Sequence, residues 1–187
     1  LEARSRAYSR REHRGRDKRA LRNNRDYLAI RQATARAHSV RDFARSELIH
    51  LLDDPDALLT KNLSRPVKLE RGSLIVQAEL PLKECPTRVI YKRYRPWNWQ
   101  KALLGKLRPG RALKGWYLGH ALLQRRISTA RPLAVCDLRQ PWYRCQSYLA
   151  IEWIEGSENL HLYAWRMAGE NAKERFRRAS QCAESLG

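Results

Sequence analysis

Apolar positions along this chain of 187 residues follow two periods, and the change from one to the other divides the chain. Val67-Lys68-Leu69, Leu74-Ile75-Val76-Gln77-Ala78-Glu79-Leu80 and the stretch from Thr87 to Tyr94 are short runs rich in β-branched and aromatic residues. Arg71-Gly72-Ser73 and Lys83-Glu84-Cys85-Pro86 separate them. Short apolar runs bounded by turn residues predict three strands joined as an antiparallel meander. Period 3.6 then takes over. Pro109-Gly110 precedes a helix predicted over 111–126, with Leu113, Trp116, Tyr117, His120, Leu123 and Ile127 on its core face. Pro132 marks the next boundary, and strands are predicted over 133–138 and 147–154. Gly156 breaks the pattern, and 159–167 and 170–186 read as helices, the second with a weak stripe of Ala172, Phe176, Ala179 and Ala183.

Upstream, the apolar positions Ile30, Ala33, Ala37, Val40, Phe43, Ala44, Leu48 and Leu51 have roughly helical spacing. They predict a helix within 26–52, ended by Asp53-Asp54-Pro55, because a residue before proline is pushed out of the helical region. Residues 1–25 are arginine-rich with little apolar content and read as a disordered arm or a solvated helix. The order strand-strand-strand, helix, strand-strand, helices makes the fold class α+β, with five antiparallel strands and one crossing helix. The expected division is an Arg-rich extension with a helix over 1–51, a compact β-rich unit over 52–155, and a helical segment over 156–187.

Composition adds a partner class. The chain carries 38 Lys+Arg against 19 Asp+Glu, a net charge of +19, and residues 1–50 alone hold fourteen bases against six acids. Such a surface attracts polyanions: nucleic acid, anionic lipid or phosphorylated sugars. Cys85, Cys136, Cys145 and Cys182 show no CxxC spacing, and no zinc pattern arises with His13, His38, His50, His120 or His161. They read as reduced structural thiols of a cytoplasmic protein. No apolar run approaches the roughly 18–20 residues of a membrane span, and no signal peptide is visible. The chain begins at Leu1 and its one methionine is Met167, so a trimmed N-terminus is expected.

Candidate chemistry centres on Lys92, which closes the third strand in Arg88-Val89-Ile90-Tyr91-Lys92. A strand lysine ahead of a crossing helix is how kinase-like folds hold nucleotide phosphates. By itself the feature is common, and a solvated basic strand end beside Arg93 and Arg95 is the plain alternative.

The local sequence narrows the comparison. Tyr91-Lys92-Arg93-Tyr94 is followed by a run from Leu107 through Arg108-Pro109-Gly110-Arg111-Ala112-Leu113 to Trp116 and Gly119-His120-Ala121-Leu122. Thr129-Ala130-Arg131-Pro132-Leu133-Ala134 and Ser147-Tyr148-Leu149-Ala150-Ile151-Glu152 come next. In this order, over about residues 52–187, the chain resembles the lipopolysaccharide kinase (Kdo/WaaP) family, bacterial proteins with a protein-kinase-like fold. The resemblance implies a kinase small lobe over 52–155 and the first helices of a large lobe over 156–187. It implies an ATP- and Mg-dependent transferase acting on a sugar hydroxyl of a glycolipid or on a protein acceptor. Lys92 would contact phosphates, and Gly72 and Ser73 would cover them. Glu152, Trp153, Ile154 and Glu155 would form the hinge against adenine. The Arg-rich N-terminus suits anionic lipid at the inner membrane face and equally non-specific RNA, and the expected location is cytoplasmic or peripheral at the inner membrane.

Two departures from that family pattern stand out. The crossing helix carries no Asp or Glu between Pro109 and Arg126, so the acid that pairs with a kinase strand lysine is missing, and Gly115 falls near its expected place. No His-x-Asp loop occurs; the resemblance puts it beyond Gly187, so the chain as given has no catalytic base and no metal ligand and is expected to be inactive alone. A non-catalytic pseudokinase scaffold and a basic nucleic-acid-binding protein are the alternatives. Trp97 and Trp99, among Arg93, Arg95 and Lys101, suit either packing beneath the helix or stacking on a base.

Overall fold

The computed structural model describes residues 18–62, 66–70, 72–82, 85–96, 110–139 and 144–157, with isolated positions at 15, 174, 177, 180 and 181. Trp97, Trp99 and the helix expected over 159–167 lie outside the described residues, as does the helix expected over 170–186 apart from the helical positions Glu174, Arg177, Ser180 and Gln181. Seven strands among the described residues form one antiparallel sheet: β1 (Tyr27–Arg31), β2 (Ala35–Val40), β3 (Pro66–Glu70), β4 (Ser73–Pro81), β5 (Pro86–Tyr94), β6 (Pro132–Arg139) and β7 (Arg144–Glu152). Their spatial order is β1-β2-β6-β7-β5-β4-β3. Three α-helices among the described residues accompany them, α1 (Arg45–Asp53), α2 (Ala57–Asn62) and α3 (Arg111–Gln124), with a short 3-10 helix at Lys18–Leu21. The chain thus has a mixed α+β fold built on a multi-stranded antiparallel sheet.

The meander β3-β4-β5, the crossing helix α3 and β6 stand close to where the hydrophobic pattern places them, while β7 starts three residues before and ends two residues before the expected 147–154. The helix expected within 26–52 does not form as one element, and the sheet has seven strands rather than five. Residues 27–40 are a β-hairpin, and α1 begins only at Arg45. Leu28 and Ile30, then Ala35 and Ala37, are buried at period two, which the sequence accommodates as readily as a helical stripe. What decides is β6: β2 pairs with it from Ala35↔Leu138 to Ser39↔Ala134 and completes its hydrogen bonding. The hairpin therefore shares the buried cluster of Val76, Val89 and Leu149 rather than standing outside it as an extension.

The edge at β1 is closed by its own lead-in. The Asn24 amide donates to the Tyr27 carbonyl at 3.0 Å, and the Ala29 amide donates to Asn23 Oδ1 at 3.3 Å. Backbone groups that would otherwise template another strand are occupied.

Each face of the sheet is covered differently. On one, α1 packs against β2 and β6 and α2 against β4, and Leu48, Leu51, Leu52 and Leu59 join the buried cluster that holds Val76, Val89 and Tyr91. Their junction is pinned to the sheet: Tyr91 OH donates to the Pro55 carbonyl at 2.9 Å, and Arg93 Nη1 and Tyr148 OH reach Asp56 Oδ1 at 2.9 and 3.0 Å. On the other face lies α3. Trp116 is its fully buried anchor, with Nε1 donating to the Ala20 carbonyl at 2.9 Å. His120 is buried one turn on and meets Tyr27 OH through Nδ1 at 3.1 Å. The expected core face is largely right for Trp116, His120 and Leu113, while Ala112 and Ala121 are the other fully buried positions.

Close approach of α3 rests on two glycines four residues apart. A Cβ on Gly115 would lie 2.8 Å from Leu149 Cδ2, and one on Gly119 would lie 2.5 Å from Pro132 Cγ. Leucine can rotate away, but a proline ring at the start of β6 cannot. Gly119→Ala is therefore expected to destabilise the fold by about 1–2 kcal/mol net, overpacking strain outweighing the roughly 1 kcal/mol gained in helix propensity. Urea midpoints of Gly119→Ala and Gly115→Ala check this, with Gly115→Ala the milder change.

Candidate functional site

Lys92 lies in the middle of the sheet, on β5 between β4 and β7. Its register partners are Ile75 and Leu149. Residues directly opposite in antiparallel strands share a face, and Leu149 lies beside Gly115 of α3. Lys92 therefore stands on the α3 face. Arg93, one residue on, points to the opposite face and is paired with Asp56 at 2.9 Å. The basic run Lys92-Arg93 is thus not one solvated strand end. It is one paired guanidinium and one half-buried ammonium on different sides of the sheet.

No acid among the described residues forms an ion pair with Lys92. Burial alone lowers the pKa of its ammonium, with no carboxylate opposing the shift. A half-buried cation without a counter-charge is costly in the empty protein and favours an incoming anion.

Gly115 stands near the place where the kinase pattern expects an acid. Gly115 abuts Leu149, the residue directly opposite Lys92 on β7. A Cβ at Gly115 would meet Leu149 Cδ2 at 2.8 Å, so a longer side chain there requires the leucine to rotate away.

Gly72 forms the β3–β4 turn with φ +85°, in the left-handed region where any Cβ is strained. Its carbonyl accepts from the Arg95 amide at 2.9 Å, which ties the turn to the end of β5. Ser73 pairs with Tyr94, two residues beyond Lys92. The turn therefore lies past the lysine along β5.

The proposed hinge residues lie at the other end. Glu152 pairs with Val89, three residues before Lys92, a separation of roughly 10 Å at about 3.3 Å per residue. Several hinge backbone groups are already used. The amides of Glu152 and Trp153 donate to the carbonyls of Arg131 and Arg88, both at 2.9 Å. The Ile154 carbonyl accepts from the Ser157 amide and from Ser157 Oγ at 2.8 Å. The Ile154 side chain is exposed and Glu155 pairs with Arg88 at the surface.

Between hinge and turn runs a strip that the sequence reading does not single out. Ile75, Ile90 and Ile151 are half-buried on the same face as Lys92, joined by the pairs Ile75↔Lys92 and Ile90↔Ile151. The signal for it is parity: Ile90 is two residues before Lys92, so strand geometry puts both on one side. Along β5 the order is the 152–155 segment, the apolar strip, Lys92 and the Gly72-Ser73 turn, with Glu152, opposite Val89, on the other face from Lys92.

Among the described residues no three His, Cys, Asp or Glu side chains come together as a metal site. Cys85 is an exposed free thiol, and Cys136 is buried, its thiol pushed up to about 12 by burial and by Asp137. No helix among the described residues is long and apolar enough to cross a membrane. No protein-family model matches the chain, and no curated protein or solved structure matches it either.

Proposed function

We propose that this chain is the ATP-binding part of a kinase of the lipopolysaccharide-core type, whose acceptor is a sugar hydroxyl of a glycolipid or a related alcohol. The observation that carries the reading is Lys92: a half-buried ammonium on a central strand, without an acid partner among the described residues, roughly 10 Å along β5 from the hinge segment. The order of the five strands β3 to β7 around one crossing helix supports it. So does the left-handed glycine at the turn beyond the lysine. Lys92 would bind nucleotide phosphates, Ser73 and the Gly72 turn would lie over them, and Ile75, Ile90 and Ile151 would take the flat face of the base. A fixed cation in a partly water-excluded site neutralises and orients phosphate oxygens better than one in bulk water.

Magnesium finds no fitting set of ligands among the described residues, so the assignment covers nucleotide binding and no phosphoryl-transfer step. One observation favours a non-catalytic scaffold of the same fold: α3 has no acid, and Gly115 is packed where one is expected. Thermal unfolding and calorimetric titration with ATP test both readings. Saturable ATP binding that raises the unfolding temperature is expected, since a ligand at about 100 times its Kd adds about 2.7 kcal/mol. No binding at millimolar ATP removes the kinase reading and leaves the scaffold.

A further inference from the structure

We infer that the outer face of α3 docks the protein on an anionic lipid surface. At 100° per residue, Arg111, Lys114, Leu118, Leu122 and Arg125 fall within one arc of about 80° on the side of the helix turned from the sheet. Leu118 is 45% exposed and Leu122 is 37% exposed; with Ile154 these are the large apolar side chains left open among the described residues. They lie one turn apart at the middle and C-terminal half of the helix, with Arg111 and Lys114 before them and Arg125 after. The inner face of the same helix is fully engaged through Trp116 and His120, so the leucines are not a second core stripe awaiting the sheet.

Charge selects the partner. Residues 85–136 contain twelve Lys or Arg and no Asp or Glu. An apolar centre ringed by bases, with no acid in reach along the chain, is the pattern of a helix lying in the headgroup region of an anionic bilayer. A nucleic acid would be met by the bases but gives the leucines nothing to contact, because affinity there comes from phosphates. Two leucines are also a small apolar core for a stable protein interface, which needs roughly 800 Å² from each partner. A bilayer surface adds contacts along the whole face. The docking face is the side of α3 turned from the sheet, whereas Lys92 lies on the sheet side, so the inference does not rest on nucleotide binding.

The test is co-sedimentation of the whole chain with vesicles of phosphatidylcholine alone and of phosphatidylcholine mixed with phosphatidylglycerol, at physiological ionic strength. Binding to the mixed vesicles and not to the neutral ones is expected. Leu118→Ser/Leu122→Ser should weaken it by about tenfold or more, and Arg111→Gln/Lys114→Gln should weaken it and reduce its salt dependence. Both leucines are on the surface, so circular dichroism should be unchanged; if the double variant unfolds, Leu118→Gln alone takes its place. Parent-level binding by the leucine variant would show that arginine charge elsewhere suffices and would overturn the assignment. Equal binding to neutral vesicles, or none to either, would do the same. ATP titration of the leucine variant should match the parent, which separates failure here from failure of the nucleotide site.

Discussion

Lys92→Met is expected to abolish ATP-dependent stabilisation while leaving the unliganded protein as stable as the parent or more so. Methionine fills a similar length of the strip beside Ile75 and Leu149 without placing a charge there. The parent carries a half-buried ammonium whose charged form burial disfavours, and no acid among the described residues offsets it. Removing such a charge relieves the empty protein, and the cost falls on the ligand. Loss of one charge-assisted bond to a phosphate is worth about 1.5–3 kcal/mol, or about 10- to 150-fold in Kd. Arg93→Met supplies the contrast. Arg93 is on the other face and paired with Asp56, beside Tyr148. That variant should lose stability and keep the parent's affinity for ATP. Titration of both variants, followed by thermal unfolding with and without ATP, decides. A Lys92→Met protein with unchanged ATP affinity would remove Lys92 from the site.

Acid is expected to unfold this protein through two histidines. His38 is 5% exposed and His120 is 4% exposed, on either side of Trp116 beneath α3. Burial, with Arg31 and Arg36 adding to it and Asp137 opposing, holds His38 down to about 4. Burial and Arg131 hold His120 at about 4 as well, although a backbone hydrogen bond at Pro132 works the other way. Its other close neighbour, Tyr27, shares a hydrogen bond with Nδ1.

In the unfolded chain both imidazoles titrate near 6.5, so between that pH and about 4 the unfolded state binds more protons. Stability is therefore full above about pH 6.5 and falls as pH drops toward 4. At about 1.4 kcal/mol per pKa unit each histidine contributes on the order of 3 kcal/mol to that fall, against a typical net stability of about 5–15 kcal/mol. Urea midpoints measured from about pH 7 to about pH 4.5 should drop with a slope near two protons, and His38→Leu should bring the slope near one. A flat profile across that window would show that neither ring is held neutral.

Much of the architecture is legible in the chain itself. The strands β3, β4 and β5 announce themselves because β-branched runs of five to nine residues alternate with turn signals, and α3 because Trp116 and His120 recur at helical spacing. The first hairpin is not legible in this way. Its inward residues are largely small, Ala35, Ala37 and Ser39, and small residues carry almost no period. Lys92 is legible as a candidate, but Lys92 and Arg93 look alike in sequence. Only pleating around a two-faced sheet sends one to Asp56 and leaves the other without an acid partner among the described residues.

The sequence by itself determined which stretches form the later strands and α3, the acid-free basic stretch, and the alternation that puts Ile90 and Lys92 on one side. These follow from local sterics and period, which neighbours along the chain express directly. The tertiary structure decided the rest: that 27–40 pairs with β6, that Gly115 and Gly119 bring α3 close against Leu149 and Pro132, and that the Glu152 and Trp153 amides are already bonded. Each of these depends on a partner distant in sequence. A backbone hydrogen bond, a Cβ clash and an unpaired charge acquire their energy from what the fold brings beside them.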